Sequence, residues 1–237
     1  MADYDLYYWP LPFRGQFIRA ILAYAGMEWL EHDAGEIDTL MKSRPEDQPI
    51  PFMGPPVLVE RRSGFALAEM PAIALHLGSS LELMPATAEL RALTAKIIND
   101  ANDVIDEITL DGGREMWTEE KWAEFVPRLK RWMAIWEVTG KRHGLQEDGG
   151  FLLGTPEAGV ADIVTTTLWA TMSDRFSVIA KMLAETAPRT AELSRRLQEH
   201  GALKALNRMS LERYGRIYCG GDIEESLRKV ICSQPTR

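Results

Sequence analysis

The texture of this 237-residue chain changes at Pro85, and that change limits the folds open to it. Before Pro85, short apolar runs alternate with a single strong helical pattern, which is the mark of a small α/β unit. Beyond it, apolar residues recur at three- and four-residue steps, as buried faces of helices require. The spacing therefore predicts two units: residues 1–80 with strands and helices, and residues 87–237 built from helices alone.

In the first unit, DLYYW reads as a strand, and Arg14 to Ala25 reads as a helix with Phe17, Ile18, Ile21, Leu22 and Ala25 on one side. Gly26 closes that helix. A short strand is expected around Trp29 to His32, and the polar stretch from Ile37 to Phe52 is expected as loop. After Pro55 and Pro56, VLVE and FAL flank a turn and read as a hairpin. Glu69 to Leu77 then reads as a short helix with Pro71 in its first turn and Gly78 at its end. In the second unit, Leu90 to Ile108 and Trp122 to Trp136 each carry one apolar face. GVADIVTTTLWATM is apolar nearly all round, as expected of a central buried helix, and TAELSRRLQEH and GALKALNRM give further helical patterns before a charged tail.

Chemistry is excluded more readily than assigned. With 27 Lys and Arg against 35 Asp and Glu, the formal charge is −8, which argues against a nucleic-acid partner because phosphate binding needs clustered cations. Only Cys219 and Cys232 are present, and they cannot staple the bulk of the chain, so a reducing, cytoplasmic setting is expected. The N-terminus carries acids where a signal peptide has a basic segment, and no run reaches a membrane span of roughly 18 apolar residues. Cys-x-x-Cys, Gly-x-Ser-x-Gly and phosphate-loop motifs are absent, and the four histidines lack metal-ligand spacing.

The order β-α-β, then β-β-α, then an all-helical domain resembles the cytosolic glutathione transferases, whose first domain is thioredoxin-like and whose second is a helical bundle. The resemblance covers the organisation from about Tyr4 to Met209 and is carried at residue level by a few segments. YYWPLPFRGQFIRAIL is similar to the family's first strand and helix; PPVLV and AEMPAIALHLG are similar to its cis-proline and glutathione-carboxylate segments; NDAND and GVADI match weaker signatures.

The resemblance implies glutathione as co-substrate, a small hydrophobic electrophile as second substrate, no metal, and a homodimer. Tyr8 takes the role of the hydroxyl that hydrogen-bonds the glutathione sulfur, with Tyr7 and Arg14 as alternatives. Tyr8-Trp9 and Arg14-Gly15 match the two ends of a Tyr-(Phe/Trp)-x-x-Arg-Gly motif, with two more residues between them than the motif holds. Read from the residues alone, Tyr7 and Tyr8 are strand aromatics packing on opposite faces. Pro55, Pro56 and Val57 fall where the family pairs backbone groups with the cysteinyl part of glutathione, although Pro55 has no N–H; a rigid lead into a strand explains them equally well.

Glu69 and Met70 fall on the pair that holds the γ-glutamyl end, with Met70 in place of a serine. On its own, Glu69 is also an ordinary first-turn acid. Asp100, or Asp103 beside it, matches an aspartate that reaches the γ-glutamyl ammonium across a dimer, and Asp162 matches a buried helix-capping aspartate. Lys42, Arg44 and Gln48 are candidates for the glycine carboxylate, and Trp9, Phe13, Met116 and Trp117 for the walls of the electrophile pocket.

Overall fold

The computed structural model describes residues 2–232; Met1 and residues 233–237, assigned above to the ends of the two units, lie outside the described residues. The chain begins with β1 (Tyr4–Tyr7), α1 (Phe13–Tyr24), β2 (Trp29–Glu31) and α2 (Ala34–Lys42), and continues through β3 (Val57–Glu60), β4 (Ala66–Ala68) and α3 (Met70–Ser80). The strands form one mixed sheet in the order β2-β1-β3-β4, with β1 parallel to β2 and antiparallel to β3. This is the thioredoxin-like arrangement expected from the sequence, with one helix more than the sequence suggested.

That helix, α2, replaces part of the loop expected over 37–52. Its apolar signal is weak because Ile37 is its one buried residue, but it is closed by a reciprocal cap. The Asp33 carboxylate accepts from Glu36 N (2.9 Å) and the Glu36 carboxylate accepts from Asp33 N (3.0 Å). A second difference is Gly78, which does not end α3. The helix runs on to Ser80, and Gly78 sits inside it where an added Cβ would lie 3.0 Å from both Met84 and Val160, so its role is close approach of the second unit.

The helical unit contains α4 (Ala88–Ile108), the irregular turn α5 (Leu110–Gly113), α6 (Glu119–Arg142), α7 (Val160–Arg175), α8 (Ser177–Thr186), α9 (Pro188–Gln198), α10 (Gly201–Tyr214) and α11 (Gly221–Cys232). As its all-round apolarity predicts, α7 is central: it packs on α1, α4, α8 and α9 and joins the two units. The charged tail, whose role the sequence left open, is mostly helical over its described part. Residues Gly221–Cys232 form α11, whose Leu227 and Val230 are buried and whose Glu224 is buried with them.

The N-terminus of α7 is fixed by Asp162, whose carboxylate accepts from Leu152 N (2.7 Å) and from Gly159 N (3.0 Å). Replacing Asp162 with Ala leaves the buried Leu152 N–H and the partly buried Gly159 N–H without that acceptor and should lower the unfolding free energy by about 2 to 3 kcal/mol. Asn, with one acceptor oxygen, should recover only part of it. Urea unfolding measures this, and a loss below about 0.5 kcal/mol would show that the cap contributes little.

Candidate functional site

The registers of the sheet bring the first unit's candidate residues to one edge. Tyr7 pairs with Val57 and Val57 with Ala68, so Tyr8 after β1, Pro56 before β3 and Glu69 after β4 follow one another across the same end of the sheet. The Pro55-Pro56 peptide is cis. Glu69 has φ 71°, a left-handed conformation that non-glycine residues adopt at a cost of about 1 to 3 kcal/mol, and such strain collects where a ligand is held.

Strand alternation separates the two tyrosines. Tyr7 stacks on His32 with ring centroids 3.9 Å apart, whereas Tyr8 is turned into the core and is only 3 % exposed. No side chain of α1's own first residues caps that helix; instead Arg14 N donates to the Tyr8 hydroxyl (3.0 Å). Burial pushes the Tyr8 pKa up to about 12, against the lowering effect of Arg14's charge and N–H. At neutral pH the phenol therefore keeps its proton and is a donor.

Tyr8 is locked from two sides. An added Cβ at Gly15 would stand 2.2 Å from Tyr8 Cδ1, so only glycine lets α1 approach the ring so closely. Gly15→Ala should displace the ring and cost about 1 to 3 kcal/mol, read as a lowered urea midpoint; an unchanged midpoint would show that the ring moves freely. On the other side lies Arg19, 1 % exposed, which holds Glu31 through two hydrogen bonds (2.6 and 2.8 Å) and donates to the Leu11 and Pro12 carbonyls (2.9 and 3.4 Å). The two extra residues between Tyr8-Trp9 and Arg14-Gly15 are thus tied down by a buried cation. Nothing in the motif points to Arg19, but a lone charge between Ile18 and Ile21 on an apolar helix was the available signal.

A cavity of about 200 Å³ opens beside Tyr8. Tyr8, Trp9, Phe13, Arg14 and Pro55 line it, together with Leu11, Thr109, Gly112, Cys219 and Ile223, which sequence reasoning did not single out. Arg14 reaches across to α4, donating to Asn102 Oδ1 (3.3 Å) and pairing with Asp106 (2.8 Å). Asp106 is therefore the α4 acid that meets the site's cation. Asp100 pairs with Lys96 one turn away, and Asp103 is pushed up by burial and by Asp100, Glu107 and Asp106.

Met116 and Trp117 lie outside the cavity wall. Met116 is exposed, and Trp117 is buried with its indole N–H on the Ile108 carbonyl (3.0 Å) and its ring against Trp122 and Phe125. Val57 and Met70 are buried behind the strand ends. Lys42, Arg44 and Gln48 are engaged locally, with Asp38, with Asp47 and with the Leu40 carbonyl and Phe52 N–H.

The far wall comes from the C-terminal segment. Glu224 Oε2 accepts from Tyr218, Cys219 and Gly220 N–H groups (2.9, 2.9 and 2.6 Å), while Arg228 holds its other oxygen. This places Tyr218 edge-on against Phe13, with centroids 5.4 Å apart. Burial, with Glu224 adding to it, pushes the Cys219 thiol up to about 12, so it stays protonated and is a poor nucleophile. Among the described residues no group of three His, Cys, Asp or Glu side chains is placed to hold a metal, and no helix is long and apolar enough to cross a membrane.

Comparisons with known proteins agree with this architecture. The family model described as "Glutathione S-transferase, C-terminal domain" matches residues 93–230. Among solved structures, the Pi-class glutathione S-transferase of Onchocerca volvulus is similar at a TM-score of 0.73 and 13 % identity, over 93 % of this chain and 98 % of that one. Na-GST-3, a glutathione S-transferase of the hookworm Necator americanus described as monomeric, is similar at 0.71 and 20 % identity, over 88 % and 97 %. A glutathione S-transferase of the nematode C. elegans is similar at a TM-score of 0.69 and 21 % identity, over 88 % and 97 %. No curated protein gives a significant sequence match.

Proposed function

Since the chain belongs to the glutathione S-transferase family, we propose that it conjugates the glutathione thiolate to a small hydrophobic electrophile. In this reading glutathione lies extended across the sheet end, its γ-glutamyl group toward Glu69 and the N-terminus of α3, its cysteinyl part beside Pro55, Pro56 and Val57, and its sulfur at Tyr8. The observation that carries the proposal is the buried Tyr8 phenol, neutral by its raised pKa and set against the first turn of α1 at the wall of the cavity.

The chemistry follows from that placement. Free thiols have a pKa near 8.5, so a few per cent of glutathione is thiolate at neutral pH. The Tyr8 O–H donates to the sulfur while its oxygen accepts from Arg14 N, and the Arg14 guanidinium and the positive end of α1 add favourable potential. Together these favour the thiolate; the displaced proton goes to solvent, and the sulfur attacks the electron-poor carbon, the new S–C bond replacing a carbon–halogen bond in an activated aryl halide as halide departs with the bonding pair. A cavity of about 200 Å³ suits an electrophile of roughly one aromatic ring. The homodimer and the cytoplasmic setting belong to the same proposal and rest on the family.

A second reading, a protein that holds glutathione with little turnover, is favoured by two departures: Pro55 has no N–H to offer, and Met70 brings no hydroxyl. Calorimetric titration of glutathione, followed by turnover of an activated aryl halide, separates the two. Saturable binding with conjugation supports the transferase; binding without conjugation supports the holding protein; absence of binding would overturn both.

A further inference from the structure

A larger cavity, about 420 Å³, lies elsewhere, between the connecting segment 81–87, the loop leading into α7, and Tyr24 at the end of α1. Its lining shares no residue with the cavity at Tyr8. Its inner wall is apolar, formed by Leu83, Met84, Leu90 and Leu153, and its size is that of sites that enclose small organic molecules.

The charged residues of this wall are of one sign. Glu82, Glu157 and Asp162 line the cavity, and no Lys or Arg does. Asp162 is spent on the two N–H groups that cap α7. Glu82 and Glu157 are exposed at the rim, and neither forms an ion pair among the described residues. Arg91, nearby on α4, is engaged by the Pro85 carbonyl (2.8 Å), and Arg196 by the Gly150 carbonyl (2.8 Å). Tyr24 is held against the His200 ring, with centroids 4.6 Å apart.

An apolar pocket with two unpaired carboxylates at its mouth asks for a ligand with an apolar body and one cationic end. We propose that this cavity is a binding site for hydrophobic amines, the body between Leu83, Met84, Leu90 and Leu153 and the ammonium between Glu82 and Glu157. Because the site uses other residues, it stands whether or not the chain conjugates glutathione.

The test compares 3-phenylpropylamine, 3-phenylpropanol and 3-phenylpropanoate by calorimetry on the full chain at low salt, with and without saturating glutathione. The amine is expected to bind about three- to tenfold more tightly than the alcohol, the acid most weakly, with the preference fading as salt rises and unaffected by glutathione. The double variant Glu82→Gln/Glu157→Gln should bind amine and alcohol alike. Ala86→Trp, at an exposed position of the lining, should block all three while its melting temperature stays unchanged. Absence of saturation by the amine, tightest binding of the acid, or an amine preference that survives in the double variant would overturn the proposal. Should Ala86→Trp fail to fold, the double variant alone decides.

Discussion

Replacing Arg19 with Met is expected to lower the unfolding free energy by about 3 to 5 kcal/mol, because it removes one partner of a buried ion pair and leaves the other uncompensated. Arg19 ties α1, β2 and the β1–α1 loop together. Its guanidinium holds Glu31, which also accepts from the Trp29 indole (2.9 Å), and it satisfies the carbonyls of Leu11 and Pro12. It also stacks over the Tyr8 ring, 5.7 Å from its centroid. The variant should therefore loosen the loop that walls the cavity as well as destabilise the fold.

The charge on Glu31 gives this prediction a pH signature. Burial alone raises the Glu31 pKa, but the Arg19 hydrogen bonds and charge, with the Trp29 N–H, bring it below the ordinary glutamate value. A carboxylate whose pKa is depressed in the folded state adds stability that is present above its unfolded pKa, about 4.3, and is lost as pH falls through the folded value. The gap between wild type and Arg19→Met should accordingly narrow as the pH is lowered below about 4. Urea unfolding across pH 3 to 7 reads this; a loss under about 1 kcal/mol at pH 7 would mean that the pair is replaceable by water. The double variant Arg19→Met/Glu31→Leu should recover part of the loss, since removing both charges leaves neither stranded.

Replacing Tyr8 with Phe is expected to reduce conjugation about 100-fold while leaving glutathione affinity within a few-fold. A hydrogen bond that strengthens as charge gathers on one atom affects the reacting state more than the bound state, and removing one such donor commonly costs about 10² to 10³ in rate. The cost to stability should be only about 1 kcal/mol, because one N–H of the first turn of α1 loses its acceptor. Turnover equal to wild type would remove Tyr8 from the mechanism and leave Arg14 as the thiolate's partner.

How much of this could be read from the sequence depended on whether the signal was local. Strand β1 and helices α1, α4, α6 and α7 were legible because each carries a clear apolar pattern, and the opposite facing of Tyr7 and of Tyr8, just past β1, followed from strand geometry alone. Helix α2 was not, because it buries only Ile37 and is held by its Asp33–Glu36 cap. Helix α11 was hidden by its charges: Glu and Arg are residue types that mostly face water, yet Glu224 is buried as the acceptor of three backbone N–H groups.

The same limit governs the candidate site. Tyr8, Trp9, Phe13, Arg14 and Pro55 share one wall because β1 and β3 are paired neighbours; the resemblance of the first strand–helix and cis-proline segments implied that neighbourhood, although the motif spacing did not match. Which acid of α4 faces Arg14 was not implied, because Asp100, Asp103 and Asp106 lie within two turns of the same polar face and only the docking of α1 selects Asp106. Trp117 sits in the core for a comparable reason: its neighbours Trp122 and Phe125 are contributed by α6, and composition says nothing about which side of the turn an indole takes. Thr109, Cys219 and Ile223 reach the cavity from segments distant in sequence, so no local pattern announced them.

The measurement that tests the central claim most directly is the ultraviolet thiolate absorbance of glutathione bound to the wild-type protein and to Tyr8→Phe, followed against pH. In the wild type the sulfur should titrate about two units below its free value near 8.5, which corresponds to about 2.7 kcal/mol of preferential stabilisation, and in Tyr8→Phe most of that shift should disappear. A bound sulfur that titrates near 8.5 in both proteins would contradict the assignment of thiol activation to this site.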